Sequence, residues 1–434
     1  MLQRNKRNVW IKGKKNHSGC GPLIPPIRDS ARPLRQQVFE HMRGAGLCAR
    51  IDVANSLGVS PASVTAITTE LLDAGYLEEI TTPARDGEPV RGRPPVSLGV
   101  RAEAFQVGGI KLSDNKDTAV IIDFGGNVVG TATITHNTRK RDPSALLDDA
   151  EKVLAKALAD AQLERQALSG IGLGIPGLVD TNTGTIVWSP ILDRRDVALR
   201  EQARARFGIH IDIDNDANIM TLAELWFGKA RAVSDFVVVT IEHGIGMGIV
   251  INHKLYRGAM GLGMEFGHTK VQLDGALCRC GQRGCLEAYI ADYALVREAS
   301  TALGEDAAIL EENSHDTLQR LFDAAKAGDE AAQSIFRRAG RYFAAGLSNI
   351  INIFDPGLLI MSGERMQYDY LYAEEVITEM KGLSLDRERD QPKIEINTWG
   401  SLIWAQGAAA LALSALTERI LGSQQEPAQI AEAR

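Results

Sequence analysis

Apolar positions along the first hundred residues recur at helical spacing in three short bursts. Leu34, Val38, Phe39 and Met42 line one face of a segment from about Arg32 to Met42, which Gly44 and Gly46 end. A second burst holds Ile51, Val53, Ala54 and Leu57 and stops at Gly58. Ser60 then suits an N-cap and Pro61 the first helical position. A third helix is expected to about Ala74, with Val64, Ile67, Leu71 and Leu72 as its stripe. The tight Leu57-Gly58-Val59-Ser60 link between two short helices is a helix-turn-helix signature. After Gly75, Tyr76–Thr82 and Val96–Val100 read as strands, and the intervening loop carries Arg85, Arg91 and Arg93 as a wing. The pattern predicts a disordered basic arm over 1–29 and a winged helix-turn-helix over 30–100.

From about residue 104 the period alternates. Ala119–Asp123, Ile171–Gly174, His210–Asp214 and Phe236–Ile241 read as strands; Pro143–Ala161, Val197–Phe207 and Ala331–Phe354 read as helices. This predicts an α/β body. A first lobe is expected over 104–215, joined by a closing helix at about 400–421. A second is expected over 216–398, and a flexible tail over 422–434.

A chain of 434 residues is too long for one ordinary core, which agrees with this division. No apolar run reaches the roughly 18 residues needed to span a bilayer, and the basic N-terminus lacks the apolar segment of a signal peptide, so a cytoplasmic protein without membrane contact is expected. Charge is divided unevenly. Residues 1–100 carry 14 Lys and Arg against 9 Asp and Glu, whereas the remainder carries 34 against 46, so only the front end suits a polyanion. After Ser60 at its cap, the exposed face of the third helix offers Ser63, Thr65, Thr68 and Thr69, without the Arg, Lys, Asn or Gln that read bases by paired hydrogen bonds. Double-stranded DNA is therefore expected to meet these hydroxyls, with phosphate attraction supplied by Arg91 and Arg93.

Three of the five cysteines fall within eight positions, downstream of a histidine, as His268-x9-Cys278-x-Cys280-x4-Cys285. Three thiolates and an imidazole suit tetrahedral Zn²⁺ in a structural role, and Gly281 and Gly284 let the loop turn tightly. Cys20 and Cys48 lie far off, and an odd count argues for a reducing compartment. Glu287, two residues beyond Cys285, is a candidate polar contact held by the braced loop.

Several ordered motifs together resemble one family. They are Arg91-Gly-Arg-Pro-Pro95, Gly174-Ile-Pro-Gly-Leu-Val-Asp180, Asp214-Asn-Asp-Ala-Asn218, Gly244-Ile-Gly-Met-Gly248, Gly263-Met-Glu-Phe-Gly-His268 and the cysteine loop ending in Glu287. From about residue 30 the chain resembles the ROK family (repressors, open reading frames and sugar kinases), in its repressor branch of N-acetylglucosamine and xylose type. The resemblance implies a two-lobed actin-like ATPase fold of ribonuclease H type, with a sugar in the cleft between lobes. It also implies that Asn215, Asp216, Glu265, His268 and Glu287 contact the sugar, with His268 serving both zinc and sugar. Carboxylates and an amide suit vicinal hydroxyls.

The family's kinases carry an Asp-x-Gly-Gly-Thr phosphate loop after the first strand of the body. Aligning on the strand that ends at Asp123 puts Lys111-Leu-Ser-Asp-Asn115 there: Lys111 replaces the acid, and Ser113 and Asp114 replace the glycines that would let N–H groups approach phosphate. His243 stands where kinases place a threonine, and Ser362-Gly363-Glu364 replaces the glycine run near adenine. The expectation is a non-catalytic, sugar-responsive DNA-binding repressor of carbohydrate uptake or catabolism genes, with a sugar or sugar-phosphate effector and a homodimeric or homotetrameric state. The alternatives are an ATP-dependent sugar kinase and a repressor controlled by a protein partner.

Overall fold

The computed structural model describes residues 3–4, 19–23, 32–81, 96–136, 140–242, 244–303, 314–369, 374–385 and 392–422. The predicted wing with Arg85, Arg91 and Arg93, and also His243, lie outside the described residues. The chain forms two compact units, one of Trp10–Ser234 with Leu402–Arg434, the other of Asp235–Ser401 with Met1–Val9. Strand β1 (Gln3–Arg4) belongs to the second of these.

The first unit begins with α1 (Leu34–Ala45), α2 (Arg50–Leu57) and α3 (Pro61–Asp73), followed by the antiparallel pair β2 (Leu77–Thr81) and β3 (Val96–Val100). Gly58 ends α2 with φ 66°, a left-handed turn that a glycine adopts at little cost. The Ser60 hydroxyl accepts from the Ser63 N–H at 3.0 Å, and Pro61 follows, so α3 starts where the sequence predicts. Val38, Phe39, Met42, Val53, Val64, Leu71 and Leu98 close this small core.

The same unit continues into five strands. These are β4 (Gln106–Lys111), β5 (Lys116–Asp123), β6 (Val128–Thr135), β7 (Leu168–Ile175) and, after the hairpin β8 (Leu178–Asp180) and β9 (Thr185–Trp188), β10 (Ile211–Asn215). Their order is β6-β5-β4-β7-β10, with β5 antiparallel to both neighbours and the rest parallel to β4. Helix α4 (Pro143–Ala161) buries Leu146, Leu147, Val153 and Leu154, and α5 (Leu199–Phe207) buries Leu199, Ala203 and Phe207. The C-terminal helix Ile403–Leu421 returns to lie on β4 and β7. It lies close because Gly109 and Gly172 face it: a Cβ at Gly172 would overlap the Ala408 carbonyl, and one at Gly109 that of Ala405.

The second unit repeats the plan. Its strands are β11 (Phe236–Ile241), β12 (Ile245–Ile251), β13 (Lys254–Tyr256), β14 (Leu358–Ser362) and β15 (Lys393–Asn397), in order β13-β12-β11-β14-β15. Again the strand second in sequence, β12, is antiparallel to its neighbours, and β1 pairs parallel with β15. Phe336, Phe343, Leu347 and Ile350 of the long helix Glu330–Phe354 fill the core against Val237, Val239 and Leu359. Two copies of one strand order, each with an inverted second strand, are the actin-like arrangement the family resemblance implied.

One expectation needs correction. Helix α6 (Asp216–Phe227), expected in the second lobe, lies in the first unit, packed on the C-terminal helix with the Ile219 carbonyl where a Cβ of Gly407 would be. Leu112–Asn115 form the turn between β4 and β5, so Lys111–Asn115 follow the first strand of the body, as the alignment expects. Among the described residues no helix is long and apolar enough to cross a membrane. Gly172→Ala should lower stability by about 2–3 kcal/mol through backbone overlap, measured by urea unfolding; a change within a few tenths would refute the close approach.

Candidate functional site

The cysteine loop folds as a tight double turn. Lys270 bridges to Cys285 and Leu277 to Arg283, and the Cys278 N–H donates to the Gln282 carbonyl at 2.8 Å. Gly281 and Gly284 take φ of 89° and 75°, and a Cβ at Gly284 would overlap the Gln272 carbonyl, so at that position the turn requires glycine. The result gathers one ligand atom from each of His268, Cys278, Cys280 and Cys285 within 4.8 Å of one another. Cys278 Sγ is 3.7 Å from His268 Nδ1, and Cys280 Sγ is 3.7 Å from Cys285 Sγ. A tetrahedron with ligands about 2.3 Å from its centre has edges of about 3.8 Å. The four groups fit a tetrahedral metal ion, and the set is the one predicted.

The electrostatics of the cluster point the same way. The hydrogen bond with Cys278 lifts the His268 imidazole to about 9, against a cost from burial. Burial raises the Cys278 thiol, but hydrogen bonds from His268, the Cys280 N–H and Tyr293 outweigh it and bring it down to about 5. Burial pushes the Cys280 thiol up to about 11. A divalent cation would resolve this crowding by displacing the protons.

Around the cluster stand the other predicted residues of this unit. His268 uses Nδ1 toward Cys278, and its Nε2 lies 4.0 Å from Glu265 Oε2. Glu287 opens the short helix Glu287–Ile290. Its Oε2 accepts from the Ile245 N–H at 3.4 Å, and its Oε1 lies 3.7 Å from Cys278 Sγ. Burial raises its carboxyl to about 7, opposed by the His268 charge. Tyr293, which the sequence reading missed, sets its hydroxyl 3.5 Å from both Cys278 Sγ and Glu287 Oε1. Only its position in the following helix could have suggested it.

In the first unit Asn215 and Asp216 sit at the start of α6. Asn215 Oδ1 caps the helix by accepting from the Asn218 N–H at 2.8 Å, which leaves its amide N–H groups as donors. Buried Asp214 holds the turn, accepting from the Asn215 N–H at 2.9 Å and from Asn218 Nδ2 at 2.7 Å. Asp216 Oδ1 accepts from the Ala217 N–H at 2.9 Å, and the residue is half-buried.

The turn after β4 is closed by its own side chains. Lys111 is buried with its ammonium 4.1 Å over the Trp404 ring. The Ser113 N–H donates to Asp117 Oδ1 at 2.9 Å, and Asp117 is buried against Arg141 at 2.8 Å and His136 at 3.1 Å. Arg141 also binds the Ser113 carbonyl and reaches Asp149 at 3.1 Å. The Asp117–Arg141 pair joins distant residues with no periodic signal between them, which is why the sequence reading did not find it.

On α3 the exposed positions include Ser60, Thr65 and Thr69, with Ser63 half-buried. Thr65 Oγ1 donates to the Pro61 carbonyl at 2.8 Å and Thr69 Oγ1 to that of Thr65 at 2.9 Å. Thr68 does not belong with them. It is fully buried and accepts from Arg50 Nε at 3.0 Å, so it ties α3 to α2. Its place one turn after Val64 puts it on the core stripe, where a threonine's methyl is tolerated.

A duplicated actin-like fold, headed by three short helices and a two-stranded sheet and carrying a His/Cys cluster that could hold a metal ion, defines the class. The ROK family profile matches residues 107–415, and the chain belongs to the ROK family. It is 29% identical over 374 residues to the xylose repressor of Caldicellulosiruptor bescii, covering 85% of this chain and 92% of that one. The crystal structure of a ROK family transcriptional regulator, a homologue of the Escherichia coli MLC protein, matches with TM-score 0.71 and 26% identity over 89% of this chain and 97% of that one. A ROK glucokinase from Streptomyces griseus, solved with glucose and AMPPNP, matches with TM-score 0.61 and 28% identity over 71% of this chain and 99% of that one.

Loading Zn²⁺ into the metal-free chain at pH 7 should release protons, because His268 at about 9 and Cys280 at about 11 are both protonated there. Affinity should therefore rise with pH. Calorimetry in buffers of different ionisation heat checks this, and uptake without proton release would contradict the ligand set.

Proposed function

We propose that this protein is a sugar-responsive DNA-binding transcriptional regulator, a repressor of carbohydrate uptake or catabolism genes. The observation that carries the reading is the closed turn after β4. The Ser113 N–H is spent on Asp117 and the Lys111 ammonium on Trp404, at the place where a kinase of this family would offer backbone N–H groups to phosphate. Asp114 adds a negative charge in the same turn. A regulator that keeps the sugar residues and loses the phosphate loop has the chemistry to sense a sugar without turning it over.

In this reading the sugar or sugar phosphate is held by Asn215, Asp216, Glu265, His268 and Glu287. These groups offer acceptors and an amide donor to vicinal hydroxyls. Zn²⁺ on His268, Cys278, Cys280 and Cys285 acts structurally. It fixes the His268 ring through Nδ1, leaving Nε2 on the Glu265 side, and it holds Glu287 beside Cys278. The hydroxyls of Ser60, Ser63, Thr65 and Thr69 meet operator DNA, with Arg91 and Arg93 attracting phosphate. Two or four copies bring two heads to one operator, and the xylose repressor and the MLC homologue support this class of activity.

The glucokinase likeness keeps one competing reading alive: ATP-dependent sugar phosphorylation. A coupled assay for ADP release on a sugar panel separates the two, and turnover at rates of about 1–100 per second would sink the regulator reading. Asp216→Asn should abolish sugar binding in calorimetry while operator affinity without sugar stays unchanged; full sugar binding would remove Asp216 from the site. Arg93→Ala should weaken operator binding and reduce the slope of log K against log salt by about 1; an unchanged slope would remove the wing.

A further inference from the structure

Helix α6 has two ends of different character, both within the first unit. Its N-terminus presents Asn215 and Asp216, and twelve residues on, a span of about 18 Å, it ends in buried Trp226 and half-buried Phe227. The Trp226 ring lies under the guanidinium of Arg43, 4.5 Å from its carbon, and Arg43 belongs to α1 of the helix-turn-helix. The same guanidinium covers Phe39 at 5.5 Å, and its Nη1 donates to Thr417 Oγ1 of the C-terminal helix at 2.8 Å. Arg43 is buried to 3% exposure.

The main chain is stitched at the same place. The Cys20 N–H donates to the Arg43 carbonyl at 2.9 Å, the Gly21 N–H to the Trp226 carbonyl at 2.9 Å, and the Leu23 N–H to the Arg231 carbonyl at 2.7 Å. Arg231, just after α6, donates from Nε to the Gly21 carbonyl at 2.8 Å and also binds the Gly44 carbonyl at the end of α1. Residues 19–23 thus form a strap threaded between the end of α1 and the end of α6. They pass so close to the turn after β5 that a Cβ at Gly126 would overlap Cys20 Sγ.

We propose that α6 carries the effector signal to the DNA-binding head, and that Arg43 is the positioning residue at its receiving end. This rests on the sugar-sensor reading, since it takes Asn215 and Asp216 as groups that contact the effector. A guanidinium removed from water is costly unless its contacts are kept, and here they are a neutral hydroxyl and two aromatic faces. The arrangement is therefore strict. If ligand contacts shift α6 along or about its axis, the Trp226 platform and the strap move with it. Arg43 must follow to keep its contacts, and α1 follows Arg43. Gly407 leaves no gap in which the C-terminal helix could absorb such a shift, because it meets the Ile219 backbone directly.

The test uses the full zinc-loaded chain, an operator duplex selected by the wild-type protein from a random pool, and glucose and xylose as probes. Arg43→Lys keeps the charge but loses the flat face, and Thr417→Val removes the hydroxyl at nearly constant volume. In the wild type, the responding sugar should change operator affinity by about tenfold or more. In both variants sugar affinity and zinc content should stay within about twofold, while the sugar-induced change in operator affinity falls below about threefold. Wild-type coupling retained in both variants would overturn the inference while leaving the sensor reading intact. Loss of sugar affinity in both would overturn it too, by making the junction a support of the fold. A wild type insensitive to either sugar, yet bound by one in calorimetry, would remove the sensor reading and the inference with it.

Discussion

The contact of the C-terminal helix with glycine-lined strands constrains most of what the first unit does. Gly109 on β4 and Gly172 on β7 let Ile403–Leu421 lie with its backbone on the sheet, and Gly407 lets α6 lie on that helix in turn. Three side chains are missing so that two helices and a sheet can share one close-packed layer. The arrangement places Trp404 over Lys111, Thr417 against Arg43, and the start of α6 beside the end of β10. A looser contact would leave a buried ammonium and a buried guanidinium without their partners. Both charges are affordable only while this packing holds.

The second unit meets a different constraint with different means. Its functional loop has little regular structure, since Phe266–His268 is one turn and the residues to Cys285 are turns and bridges. Such a loop keeps a fixed shape only when tied at several points. Here the cluster of His268, Cys278, Cys280 and Cys285 supplies the tie, and glycines at positive φ supply the turns. Glu265 lies against the His268 ring and Glu287 against Cys278 of that cluster.

Much of this was legible in the sequence, and the rest was not for identifiable reasons. Helices with one apolar stripe, such as α1, α3 and Pro143–Ala161, announced themselves by period. The His268, Cys278, Cys280 and Cys285 cluster did so by composition and spacing, and the ROK motifs by their order along the chain. Strands β4 and β12 did not, because Gln-Val-Gly-Gly-Ile-Lys and Ile-Gly-Met-Gly-Ile-Val-Ile are buried on both faces and carry no alternation. Helix α6 was assigned to the wrong lobe because its nearly all-round burial gives no direction for its packing. Thr68 was misread because threonine suits both a wet face and a core stripe. The Asp117–Arg141 pair, Tyr293 and the Arg43 junction are contacts between distant or non-periodic positions, which only folding reveals.

The proposed function couples sugar binding to DNA binding without phosphoryl transfer. The most direct measurement is operator affinity of the full zinc-loaded chain, followed by fluorescence anisotropy across a panel of hexoses, pentoses and their phosphate esters. The account predicts that one member shifts the midpoint by about tenfold or more, without ADP formation when ATP is added. An operator affinity unchanged across the whole panel would contradict it.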